Sequence, residues 1–177
     1  MADLREKVVE DRGIISKIQA FVPGFSGYRA KEDLRAADSM LRMQMAGNMA
    51  SIRKDAEGCR SVMAENGSLE HMERLGALIG RLKTLEQAVA HAAQGYSGIS
   101  AKTKVGEAEL NKLYEYDYAL LSSLAEMAAD AQKLKAAAAS DNKAAIMESI
   151  GAMSGKAGAF EATFKRRMTA VTGTEVS

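Results

Sequence analysis

The sequence predicts an all-α protein, an up-and-down bundle of four to five long antiparallel helices, and three observations predict it. The composition favours helix, with a single proline, no tryptophan, eleven methionines and many Ala, Leu, Glu, Lys and Arg residues. Apolar residues recur three and four positions apart along most of the chain, and no alternating β-branched run interrupts them. Connections near residues 66–67 and 139–141 are too short for anything but antiparallel neighbours.

Residues 3–22 place Leu4, Val8, Ile15, Ile18 and Val22 on one stripe. Pro23 ends this segment, and Gly24 and Gly27 permit a sharp reversal. From Arg29 to Asn66 the stripe is Leu34, Asp38, Leu41, Met45, Ile52, Ala56, Cys59 and Met63, and Asn66-Gly67 has the chemistry of a helix stop. Ser68 reads as the N-cap of a third helix with the stripe Leu69, Met72, Leu75, Ile79, Leu82, Glu86, Val89 and Ala93. The one long break, 94–106, follows.

A fourth helix over 107–139 carries Leu110, Leu113, Asp117, Leu120, Leu124, Met127, Ala131 and Leu134. Ser140 or Asp141 can cap a fifth over 141–172, with Ile146, Ile150, Met153, Ala157, Phe160, Phe164 and Val171. Gly151, Gly155 and Gly158 interrupt that helix at a cost of about 0.8–1 kcal/mol each, which predicts close approach of a neighbour. Residues 1–173 read as one domain and 174–177 as a disordered tail.

The two breaks share an order of Gly, aromatic, Ser and Gly, in Gly24-Phe25-Ser26-Gly27 and Gly95-Tyr96-Ser97-Gly98. Alternating helix directions bring both to one end of the bundle. There Tyr28, Arg29, Lys31, Tyr96, Lys102 and Lys104 form a candidate ligand or interaction end, since free N–H groups at helix starts favour anions. The plainer reading is that Phe25, Tyr28 and Tyr96 plug the bundle. No complete phosphate-binding motif is present.

Asp38 and Asp117 fall on core positions at about equal depth, so they would repel unless a cation or phenol lay between them. A buried network of Arg35, Asp38, Arg42, Tyr114 and Asp117 is the expected solution, with a ligand pocket as the minor one.

Net charge is +1, from 24 basic and 23 acidic side chains, so no overall field draws nucleic acid. The lone Cys59 excludes an intrachain disulfide, and neither a signal peptide nor a membrane span is legible, which suits a cytoplasmic protein. His71 and His91 lack the Glu-x-x-His pattern of metal bundles, so no metal or other cofactor is expected. Nothing pairs a nucleophile with a base, which argues against an enzyme.

Gly27-Tyr28-Arg29-Ala30-Lys31-Glu32-Asp33-Leu34-Arg35-Ala36-Ala37-Asp38, Gly95-Tyr96-Ser97-Gly98 and Leu113-Tyr114-Glu115-Tyr116-Asp117 together resemble an uncharacterised family of prokaryotic helical proteins. The resemblance covers about a third of the chain and implies a shared helical fold and no reaction. The long hairpins are also loosely similar to membrane-stress proteins of the phage-shock type. The expected function is that of a non-enzymatic helical interaction or scaffold protein that forms a homo-oligomer or pairs with another helical protein. Methionines 40, 43, 45, 49 and 63 spread over more than one face of helix 2; they read first as core filler, and also suit such a role. The alternative is peripheral binding to an anionic membrane surface through Leu4, Val8, Ile14, Ile15, Ile18, Phe21 and Val22 of helix 1, beside Arg5, Lys7, Arg12 and Lys17.

Overall fold

The computed structural model describes residues 4–28, 31–92 and 107–172, with side chains for 12–28, 35–92 and 110–170. Among these residues the chain is all-α: α1 (Leu4–Phe21), α2 (Lys31–Glu65), a 3-10 turn (Leu69–His71), α3 (Met72–His91), α4 (Glu107–Ala139) and α5 (Lys143–Thr172). The 94–106 break and the tail from 174 lie outside the described residues.

The helices bury the faces that their periodicity marks. Leu41, Met45, Met49, Ile52, Ala56, Cys59 and Met63 of α2 meet Leu120, Leu124, Met127, Ala131 and Leu134 of α4 in one continuous core. α5 adds Ile146, Ile150, Met153, Ala157, Phe160 and Phe164. In α3 the buried face is Leu75, Leu78, Leu82, Leu85 and Val89, so the stripe is rotated from the expected one. Positions 75, 82 and 89 belong to both alternatives, and burying Leu85 in place of Glu86 decides between them. Glu86 instead meets Arg53 of α2 at 2.7 Å.

α2 packs against α3 and α4, and α5 packs against α4 and α3, so four helices form a square with α1 laid on α4. The α2–α3 and α4–α5 hairpins stand side by side and point the same way. Asn66, just past the end of α2, donates to the Ala138 carbonyl near the end of α4 at 3.1 Å. At the opposite end Asp38 of α2 and Asp117 of α4 both reach Arg167. Partners across the hairpins therefore run parallel, and sequential ones antiparallel.

Both hairpin turns close with left-handed residues. Gly67 (φ 73°) ends α2, with Ser68 N–H on Met63 O at 2.8 Å and Gly67 N–H on Ala64 O at 3.1 Å. Asp141 (φ 50°) does the same for α4, with Asn142 N–H on Ala137 O at 2.9 Å. The caps differ from those expected. Ser68 makes no capping bond, because its hydroxyl donates to the Asp141 carboxylate and ties the two turns together. Asn142, rather than Ser140 or Asp141, caps α5 by accepting the Ala145 N–H at 3.1 Å.

The glycines of α5 also behave differently from expectation. A Cβ at Gly151 or Gly155 would meet nothing within 4 Å, and only Gly158 has a close neighbour, Arg81 Nη2 at 3.3 Å. Gly151 and Gly155 are exposed, and Gly158 meets a side chain of α3 rather than a helix backbone.

Candidate functional site

The turn that follows α1 sets the site. Pro23 stops the helix, Gly24 (φ 88°) and Gly27 (φ 93°) turn the chain, and Gln19 Nε2 holds the Phe25 carbonyl at 2.7 Å. A Cβ on Gly27 would lie 2.8 Å from the Tyr114 hydroxyl, so only glycine lets α4 come this close. That hydroxyl accepts the Tyr28 N–H at 2.9 Å. The Tyr28 ring stacks on Tyr114, with centroids 5.2 Å apart, and Phe25 meets both edge-on.

Packed this way, Tyr28 points its hydroxyl into the bundle and donates to Asp117 Oδ2. Arg167 of α5 is completely buried, and its Nε reaches Asp117 Oδ1 at 2.5 Å. Its Nη2 lies 2.8 Å from Asp38 Oδ1 and 3.3 Å from the Tyr28 hydroxyl. Arg42 Nε takes the other oxygen of Asp38 at 2.7 Å. Arg42 Nη1 also donates to the carbonyls of Ala90 at 3.2 Å and Val89 at 3.4 Å, which lie in the last turn of α3. Four helices and the 22–28 turn thus meet in one cluster.

The charges balance, with Asp38 and Asp117 against Arg42 and Arg167, and all four carboxylate oxygens are engaged. Burial pushes the Asp117 carboxyl up, against the pull of Arg167 and of the Tyr28 hydrogen bond. Burial, then the nearby Asp117 charge, pushes the Tyr28 phenol well above its ordinary value of 10.0. Tyr28 therefore stays protonated around neutral pH, donating to Asp117 and accepting from Arg167. The arrangement links α2, α3, α4 and α5 through these side chains, and each carboxylate oxygen already has one partner.

A second polar contact joins α4 to α5 at mid-height. Asp130 is buried and accepts from Lys156 at 2.5 Å and Lys133 at 3.1 Å. Burial alone would raise its carboxyl, but these two lysines outweigh that and hold it below the ordinary value.

Of the expected ligand end, Arg29, Tyr96, Lys102 and Lys104 lie outside the described residues, as does the side chain of Lys31. Tyr28 is buried and turned inward, so it offers no surface to an anion. Of the expected network, Asp38, Arg42, Tyr114 and Asp117 come together, whereas Arg35 is exposed. The cation between the carboxylates is Arg167, which the sequence reading overlooked. A signal existed, since 167 continues the α5 stripe of Phe160 and Phe164 as Asp38 and Asp117 continue theirs.

Among the described residues no group of three or more His, Cys, Asp and Glu side chains could hold a metal ion, and no helix is long and apolar enough to cross a membrane. Comparison with protein-family models, curated proteins and solved structures finds no match to this chain.

Proposed function

We propose that the chain is a non-enzymatic helical interaction protein that pairs with a second copy of itself through the outer face of α2. The observation that carries this is an uncharged stretch whose inner side, Met45, Met49 and Ile52, belongs to the core and whose outer side, Met43, Gly47 and Ser51, is exposed. From Met43 to Ile52 no residue is charged, in a chain where 27% of residues are. Met40 and Met43 stand on the outer side, 41% and 72% exposed, and a turn further on Gly47 has open space where a Cβ would be.

A second copy is the partner for which neutrality matters, because a two-fold contact sets each residue of the patch against the same patch. Flexible thioethers adapt to such a surface, and the glycine allows backbones to approach. The low net charge also favours association. The membrane alternative has less support, since Ile18 and Val22 are buried and Ile14, Ile15 and Phe21 pack against the same core.

Light scattering on a sizing column tests the reading. The parent is expected to run as a dimer at concentrations on the order of tens of micromolar, and Met43→Glu as a monomer with an unchanged melt. A strictly monomeric parent overturns it.

A further inference from the structure

The seam between α3 and α5 opens into a groove of about 360 Å³. Its floor and walls are Ala77, Leu78, Met147, Ile150, Gly151 and Ser154, and its only charged liners are Arg74 and Arg81. The two arginines are seven residues apart on α3, hence on one side of the helix and roughly 10 Å apart along it. Arg81 pairs with Glu161 at 3.0 Å, but both side chains are more than a third exposed, so the pair exchanges readily with another acid. Arg74 forms no ion pair with any described residue. Met147 is 48% exposed above the groove, and the missing side chain of Gly151 leaves its wall open.

We propose that this groove docks an acidic amphipathic helix of another protein. Two carboxylates two turns apart reach Arg74 and Arg81, and the apolar side chains of the turn between them fill the space over Leu78, Ile150 and Gly151. The spacing is the specific part, because two arginines seven residues apart match two acids seven residues apart on a helix laid along α3. A second copy of this chain is excluded as occupant of a symmetric contact here, since it would set arginine against arginine. The inference rests on the reading of the chain as an interaction protein, but not on its self-association.

The probe is a fluorescent synthetic helical peptide with two glutamates seven residues apart and leucines in the turn between, against the same peptide with lysines for the glutamates. Anisotropy is read at low salt on protein carrying Met43→Glu, so that failure of dimerisation and failure of docking are separate results. The glutamate peptide is expected to bind at least about tenfold tighter than the lysine peptide. Arg74→Glu, and separately Gly151→Leu, which fills the groove, should each weaken it about tenfold with the helical signal retained. Equal binding of the two peptides, or an affinity that either variant leaves unchanged, overturns the proposal.

Discussion

Arg167 serves two carboxylates with one guanidinium, and its planar fork is what allows this: Nε faces Asp117 while Nη2 lies between Asp38 and the Tyr28 hydroxyl. A lysine would offer one point charge in place of that geometry. Arg167→Met is expected to cost about 3–5 kcal/mol by denaturant titration, because two buried acids then face one another with only Arg42 nearby. Asp117→Asn should cost about 1–3 kcal/mol. Combined, the two should cost less than their sum, since each removes the same ion pair. Tyr28 gives a pH test. Its folded pKa lies above the unfolded value of about 10, so the native state keeps a proton that the unfolded chain loses. Its contribution is complete below about pH 10 and is lost as pH rises through the folded value, so thermal melts of Tyr28→Phe should decline less steeply across that range than those of the parent.

Helix existence was legible along the chain because the 3.6-residue period is a collective signal that survives local exceptions such as Asp38 in α2. Orientation was less so. In α3 two stripes share Leu75, Leu82 and Val89, and only packing against α2 and α5 selects Leu78 and Leu85. Caps were misread for a similar reason, since Ser68 had a long-range partner in Asp141 that no local pattern reveals. Asp38 and Asp117 were legible as misplaced charge on apolar stripes; Arg167 sat on such a stripe too, but its partners are far along the chain. The solvent-facing glycines of α5 give a prediction at this scale. Gly155→Ala should stabilise by about 0.5–1 kcal/mol in a thermal melt, because helix propensity improves and the new methyl meets nothing. Gly27→Ala should do the reverse by more than that, since the positive φ and the Tyr114 hydroxyl both oppose a methyl.

Across the whole molecule, each end of the bundle is pinned by polar contacts distant in sequence, Ser68 with Asp141 at one end and Tyr28 with Arg167 at the other. The mid-height Asp130 contact adds an acid dependence. Its folded pKa is depressed, so its stabilisation holds above about pH 4 and is lost as pH falls through the folded value. Asp130→Asn should therefore flatten the acid limb of a stability profile below about pH 4. The position of Arg167 on α5 also bears on the order of assembly. Tyr28 and Arg167 are 139 residues apart, so the first turn of the fold waits for the last helix. A chain emerging from the ribosome with α1 to α4 alone would have to shelter Asp117 without its cation, which favours keeping α4 unburied until α5 arrives. The last helix is then the keystone of a single closing step, and backbone circular dichroism and tyrosine fluorescence should lose their native signals at the same denaturant concentration.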